Sequence, residues 1–186
     1  MPSQQLAAIY TLWGLWVASW FIASVWSART EARPGGSRGL FYYVFTIAGA
    51  WMLFNPRLYS PTLWTAPDDI QWTLVGFTGL GFLFCWWARL HLGALWSGAI
   101  TRKEGHHVVD TGPYRLVRHP IYTGIILSSF ATAFAKATPI ALAGAATMAF
   151  GWYLKARLEE RFLREQLGAD AYGAYAARVP MLVPFA

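Results

Sequence analysis

Side chains that could carry chemistry are concentrated in two parts of this chain, residues 89–124 and the segment that starts at residue 155. The first part contains all of the histidines, namely His91, His106, His107 and His119. The second part begins Lys155-Ala156-Arg157-Leu158-Glu159-Glu160. Lys155 and Glu159 are four residues apart and would share a helix face, where they can pair. Together the two parts offer imidazoles, cations and carboxylates that could bind a charged polar ligand, for example through a ribose diol or an amino group.

The step His119-Pro120 predicts the start of a helix that enters an apolar run. Proline suits the first helical turn, because its missing N–H would have no partner there in any case. The free N–H groups of such a start attract a carboxylate or a phosphate. The sequence therefore predicts an anion-binding helix end beside the histidine-rich segment.

A metal site is not expected from this pattern. The histidines are not arranged as HExxH, and the single cysteine, Cys85, has no partner with ligand spacing. One cysteine also excludes a disulfide scaffold, and the position of Cys85 inside an apolar run favours simple packing.

The composition indicates a membrane protein. The chain has 186 residues, of which 56% are apolar and 13% are charged, and its mean hydropathy is +0.34. That charged share is about half of the roughly 25% found in soluble proteins. The apolar content also excludes intrinsic disorder.

Five apolar runs predict an all-α, polytopic membrane protein with five transmembrane helices. The runs are Leu6–Ser27, Gly39–Asn55, Ile70–Ala88, Ile121–Ala135 and Thr138–Leu154. The last two, residues 121–154, form a predicted helical hairpin with Pro139 in the first turn of the returning helix. A cleaved signal peptide is the alternative for the first run, but that run lacks a basic start and exceeds the usual apolar core of about 7–15 residues.

The basic residues fall on one side of this predicted topology. The net charge is +6, and all Lys and Arg except Arg57 and Lys136 lie in the loop after the first run, after the third run, or in the tail. The positive-inside rule makes that side cytoplasmic and the N-terminus external. Because topology explains the basic excess, nucleic-acid binding is not expected.

The run His106–Gly124 resembles the signature of the isoprenylcysteine carboxyl methyltransferase and phospholipid methyltransferase superfamily. It contains Gly112-Pro113-Tyr114-Arg115 and Arg118-His119-Pro120-Ile121-Tyr122. The resemblance covers about Leu90 to Pro184 and includes further matching residues: Leu92-Gly93, Trp96-Ser97, Glu159-Glu160, Leu167-Gly168, Tyr172, Tyr175 and Arg178-Val179-Pro180.

The resemblance implies a single integral membrane domain over residues 1–186 that uses S-adenosyl-L-methionine. Residues 1–88 would supply three spans, and residues 89–186 would form the cofactor-binding catalytic region. The implied cofactor-binding residues are His106, His107, Val108, Val109, Tyr114, His119, Pro120, Ile121, Tyr122, Glu159, Glu160, Gly79 and Gly81. The implied catalytic residues are Lys155, Arg157 and Arg118, with Lys155 or Arg157 contacting the methyl acceptor. Helix packing is the alternative role for the two glycines, and lipid headgroup binding is the alternative for Arg118.

The predicted function is methyl transfer to a hydrophobic or lipid-like acceptor at the cytoplasmic membrane face, similar to that of isoprenylcysteine carboxyl methyltransferases. Lipid amine N-methylation and small-thiol S-methylation are alternatives within the class. An NADPH-dependent membrane reductase, with Arg102-Lys103 at the 2′-phosphate, and a non-catalytic membrane protein are alternatives outside it. The expected partners are membrane lipid and the acceptor, and the sequence does not indicate an oligomeric state.

Overall fold

Six α-helices account for most of the chain in the computed structural model, which describes residues 3–32, 41–58, 61–104, 107–167 and 169–185. Within these ranges the helices are α1 (Gln4–Ala23), α2 (Phe41–Phe54), α3 (Asp68–Leu92), α4 (Pro120–Lys136), α5 (Pro139–Leu167) and α6 (Ala169–Arg178). Two short 3₁₀ turns cover Gly93–Leu95 and Gly112–Arg115. The strands β1 (Thr30–Ala32) and β2 (Arg102–Lys103) form one antiparallel pair, an addition to the predicted all-α fold.

The predicted hairpin is confirmed as α4 and α5. Ala137 adopts a left-handed conformation with φ 51°, and its N–H donates to the carbonyl of Ala133, which ends α4. The returning helix begins at Pro139, as predicted, and continues without a break to Leu167. It therefore carries the tail residues on the same helix that packs in the bundle.

Two of the five predicted membrane spans meet the length and hydropathy expected of a bilayer-crossing helix in the described residues. These are α1 and the segment Asp68–Leu95, which joins α3 to the first 3₁₀ turn. Helix α2 is apolar but has only 14 residues, and α4 has 17. Helix α5 has 29 residues, but its second half is charged. The number of transmembrane helices therefore stays a prediction.

The helix ends alternate between the two ends of the bundle. Hydrogen bonds join four of these ends at one end of the bundle. Gln5 at the start of α1 donates to Asp68 at the start of α3. Gln71 of α3 donates to the carbonyl of Ala135 at the end of α4, and Lys136 of α4 donates to the carbonyl of Leu53 at the end of α2. This arrangement agrees with the alternation that the sequence predicts. The C-termini of α1 and α3 and the N-terminus of α4 therefore lie at the opposite end of the bundle.

Close packing between α3 and α4 fixes the centre of the bundle. A Cβ on Gly81 would lie 2.6 Å from the carbonyl oxygen of Gly124 and would also collide with Ser128. On the other side of α3, Phe82 packs against Trp13 of α1, with ring centroids 4.8 Å apart. The indole of Trp13 also donates to Thr132 of α4 at 2.9 Å. These contacts hold α1, α3 and α4 together below the chemically rich segments.

Candidate active site

A cavity lies at the end of the bundle where α1 and α3 end and α4 begins. It is open on one side and has a volume of about 260 Å³, close to the lower end of the roughly 300–1,000 Å³ found for small-molecule sites. Eleven of the residues predicted from the sequence line it: His107, Val108, Val109, Tyr114, Arg118, His119, Pro120, Ile121, Tyr122, Lys155 and Glu159. The structure thus brings the two segments singled out in the sequence to one place.

Four predicted site residues do not line this cavity, and His106 lies outside the described residues. Gly81 packs against α4. Gly79 lies two residues earlier on α3, and an added Cβ there would have nothing within 4 Å. The close approach of α3 and α4 is a sufficient reason for Gly81, so the structure favours the packing alternative for this glycine. Arg157 is exposed, and its guanidinium lies 6.0 Å from the ring of Tyr153. Glu160 lies behind the cavity wall.

Glu160 holds two residues of the signature in place. Its carboxylate accepts hydrogen bonds from Arg118 Nε at 2.7 Å and from His119 Nε2 at 3.2 Å, and Glu160 is only 7% exposed. Burial alone would raise the pKa of the Glu160 carboxyl, but the bonds from His119 and Arg118 outweigh it and lower that pKa to about 2. The carboxylate is therefore ionised and acts on the cavity through its two partners.

Glu159 faces the cavity itself. The phenol of Tyr122 donates to one oxygen of the Glu159 carboxylate at 2.5 Å. The Tyr122 ring stacks between His119, at 5.3 Å and an interplanar angle of 4°, and Trp152, at 4.8 Å and 28°. One carboxylate is thus held at the edge of a stack of aromatic rings, and it keeps acceptor positions for a ligand.

Lys155 is a buried cation in the cavity wall, 5% exposed. Its ammonium donates to the carbonyl of Gly98 at 2.8 Å and lies 5.2 Å and 5.1 Å from the ring centroids of Tyr122 and Trp152. The ammonium is thus bound to the 93–101 segment, instead of forming the ion pair with Glu159 that the i, i+4 spacing suggested. Burial lowers the pKa of Lys155, while the charge of Glu159 opposes that shift.

The segment after α6 folds back on the start of α4 and holds it in place from outside the cavity. The backbone N–H groups of Arg118 and His119 donate to the carbonyls of Pro180 and Met181 at 2.9 and 3.1 Å. The hydroxyl of Thr123 donates to the carbonyl of Leu182 at 2.7 Å. These bonds fix the loop before α4, so the first turn of that helix (Pro120, Ile121 and Tyr122) faces the cavity.

The 3₁₀ turn that carries Tyr114 depends on a glycine. Gly112 has φ +56°, a conformation that favours glycine, and a Cβ there would collide with the ring of His91. The turn brings Tyr114 into the cavity wall, where its carbonyl accepts a hydrogen bond from the Tyr175 hydroxyl at 2.8 Å.

Sequence reasoning did not assign several cavity residues to the site, among them four tryptophans. They include Trp16 and Trp20 from α1, Trp96 and Thr101 from the segment after α3, and Trp152 from α5. Trp16 Nε1, Trp152 Nε1 and Thr101 Oγ1 are buried and have no hydrogen-bond partner among the described residues. Trp16 and Trp20 are four residues apart and share a helix face, but that spacing is equally typical of packing.

The described residues form a helical protein in which two helices are long and apolar enough to cross a membrane. Its cavity lies between the start of α4 and the charged face of α5. Residues 74–165 match the isoprenylcysteine carboxyl methyltransferase (ICMT) family. The chain is similar to this family over those residues, which make up about half of its length.

Three curated relatives are similar to this chain over part of their length, and two of them are named as methyltransferases. Protein-S-isoprenylcysteine O-methyltransferase B of Arabidopsis thaliana is 34% identical over 87 residues, 46% of this chain and 44% of the relative. Methanethiol S-methyltransferase 1 of Bradyrhizobium diazoefficiens is 38% identical over 155 residues, 77% of this chain and 53% of the relative. The cobalt-zinc-cadmium resistance protein CzcN of Cupriavidus metallidurans is 28% identical over 149 residues, 78% of this chain and 62% of the relative. The chain spans about half the length of the curated relatives it matches.

Proposed function

We propose that this chain transfers a methyl group from S-adenosyl-L-methionine to a hydrophobic or lipid-like acceptor at the cytoplasmic face of a membrane. The observation that carries the proposal is the meeting of Glu159, Tyr122 and Lys155 with the signature residues around one cavity. The match of residues 74–165 to the ICMT family supports the same reaction.

The residues around the cavity fit S-adenosyl-L-methionine. When bound, this cofactor supplies an electrophilic methyl group on a cationic sulfur. Glu159 offers carboxylate oxygens to a ribose diol or to an ammonium group. The first turn of α4 offers N–H groups to a carboxylate. The rings of Tyr122 and Trp152 present π-faces that attract a cation, and the unpartnered indole N–H groups offer further donors.

Lys155 favours an acceptor with an anionic head. A buried ammonium attracts a carboxylate or a thiolate and orients it, whereas it offers no attraction to the neutral amine that N-methylation requires. A carboxylate also needs no general base before it attacks a methyl group. We therefore propose carboxyl methylation of a hydrophobic acceptor, with Lys155 holding the carboxylate and the walls of the cavity excluding water.

Thiol S-methylation is the second candidate. The methanethiol S-methyltransferase of Bradyrhizobium diazoefficiens aligns with 77% of this chain, a larger share than the Arabidopsis isoprenylcysteine enzyme. Lys155 would stabilise a thiolate as it would a carboxylate, so the site geometry is compatible with both acceptors.

Calorimetric titration of the detergent-purified chain with S-adenosylhomocysteine, with NADPH as the control ligand, tests the cofactor. We expect binding of the order of 1–100 μM for S-adenosylhomocysteine, weakened in Glu159→Ala and His119→Ala, and none for NADPH. A folded, monodisperse sample that binds neither ligand contradicts the proposal, and binding of NADPH alone replaces it with the reductase.

Methyl transfer to three matched probes then separates the acceptors. The probes are a prenylated cysteine with a free carboxylate, the same compound as its carboxamide, and a small alkyl thiol. Transfer to the carboxylate but not to the carboxamide supports the proposal. Transfer to the thiol alone supports the second candidate.

A further inference from the structure

Arg89 lies at the end of α3, and no role in the proposed reaction is assigned to it above. It is completely buried, with 0% exposure. Its guanidinium donates to the carbonyls of Ala23, at 2.9 Å, and Trp26 from the end of α1, and to the carbonyl of Gly93 from the segment after α3. One side chain therefore binds the ends of two helices at once.

The same guanidinium lies between two tryptophan rings. Its central carbon is 4.8 Å from the ring centroids of Trp26 and Trp96. Trp96 lines the cavity and meets Trp20 of α1 edge to face at 5.7 Å. Arg89 thus reaches the cavity through Trp96, although it is not itself part of the lining.

Further bonds run alongside this contact and join the same two segments. Ala28 N–H donates to the carbonyl of Ala94 at 2.7 Å, and the hydroxyl of Ser27 donates to the carbonyl of Trp96 at 2.9 Å. Beyond them, β1 pairs with β2. The loop after α1 and the segment 93–104 form a double layer on one side of the cavity. Arg89 binds the part of this layer where α1 and α3 end.

We propose that Arg89 is a positioning residue that couples the end of α1 to the 93–101 segment and so sets the wall of the cavity formed by Trp20, Trp96 and Gly98. Arginine suits this position because a planar fork of donors can reach several carbonyls while its faces stack on rings. Lysine would keep the charge but would lose the fork and the stacking. The expected effect on ligand affinity rests on the proposed function, whereas the coupling of the two segments does not.

Two variants of the full chain in detergent test the inference. Arg89→Lys removes the fork, and Trp26→Ala removes one stacking ring that is itself 47% exposed and outside the cavity. We expect the dissociation constant of S-adenosylhomocysteine to rise about tenfold in Arg89→Lys and about threefold in Trp26→Ala, since each loses part of one charged contact. Arg161→Lys, an exposed arginine on α5, serves as the control and should bind as the wild type does.

Hydrogen exchange without ligand provides the second readout. In both variants the amides of residues 27–31 and 94–104 should exchange faster, while those of α4 and α5 keep their wild-type rates. Equal acceleration in all helices, or wild-type affinity in Arg89→Lys, overturns the inference. If the wild-type chain binds no S-adenosylhomocysteine, the proposed function fails, and selective exchange still decides the role of Arg89. If Arg89→Lys does not fold, Trp26→Ala alone carries the test.

Discussion

The phenol of Tyr122 and the carboxylate of Glu159 are joined by a hydrogen bond of 2.5 Å that links the first turn of α4 to the face of α5. The two residues lie 37 positions apart, on the two arms of the hairpin. A bond to an ionised acceptor is stronger than one between neutral groups. Tyr122 therefore fixes the direction of the one carboxylate that the described cavity wall presents to a ligand.

Replacing Glu159 by Gln should weaken S-adenosylhomocysteine binding about tenfold to a hundredfold, because a bond to a charged group contributes roughly 1.5–3 kcal/mol. Tyr122→Phe should weaken binding less, since the carboxylate stays but loses its orientation. Calorimetry on both single variants and the double variant measures the coupling. Glu165→Gln, an exposed carboxylate on α5, is the matched control. Additive effects of Glu159→Gln and Tyr122→Phe would contradict the coupling.

Glu160 should make stability depend on pH in the acid range. Its pKa falls from the ordinary 4.5 to about 2 in the folded chain, so the folded state binds fewer protons than the unfolded state between these values. The contribution of Glu160 is then complete above about pH 4.5 and is lost as the pH falls toward 2. Thermal unfolding in detergent between about pH 6 and about pH 3 measures this loss.

Glu160→Gln should be less stable than the wild type at neutral pH and should lose less stability on acidification. A Glu160→Gln profile parallel to the wild-type profile throughout this range would show that Glu160 is not the group responsible.

Arg118→Met should destabilise the chain by about 3–5 kcal/mol, because it leaves a buried carboxylate without its guanidinium partner. The family resemblance implied a catalytic role for Arg118, whereas its guanidinium is bound to Glu160 and to the carbonyls of Ala176 and Val179. Chemical unfolding in detergent measures the change. The double variant Arg118→Met/Glu160→Gln should recover part of the loss, and no recovery would contradict a direct pair.

Gly79 and Gly81 on α3 should respond differently to the same substitution. Gly81→Ala places a methyl group 2.6 Å from the carbonyl of Gly124 and should destabilise the bundle by about 1–3 kcal/mol. At Gly79 nothing lies within 4 Å of the added carbon, so Gly79→Ala should be neutral or should stabilise the helix by up to about 1 kcal/mol. Thermal unfolding of both variants compares them directly. If Gly79 contacts the cofactor, Gly79→Ala will instead weaken S-adenosylhomocysteine binding.

The parts of this structure that could be predicted are those with strong local signals. The break at Lys136–Pro139 and the helix start at Pro120 follow from proline chemistry, and both helix boundaries agree to within a residue or two. The meeting of Glu159 with the signature residues follows from the short hairpin, which returns the chain to the same end of the bundle.

The roles of Trp16, Trp152 and Arg89 could not be predicted in the same way. A tryptophan in an apolar run has the same spacing whether it packs, anchors or lines a cavity, so the sequence favoured the common roles. Arg89 follows directly after the predicted span Ile70–Ala88, a position typical of a residue that flanks a span. Its partners are carbonyl groups at the end of α1, about 65 positions earlier in the chain, and backbone carbonyls leave no trace in a residue pattern.

Helix α5 runs unbroken from Pro139 to Leu167, so the residues that pack in the bundle and the residues that line the cavity share one axis. Gly151 and Ala156 are buried in the core, Lys155 and Glu159 line the cavity, and Glu160 binds Arg118 and His119 behind the cavity wall. One extra residue between the two halves would turn the second half by about 100° relative to the first. The rotation of α5 about its axis therefore sets where these side chains point in the candidate site. An insertion far from any ligand would misdirect the charges of Lys155, Glu159 and Glu160 together.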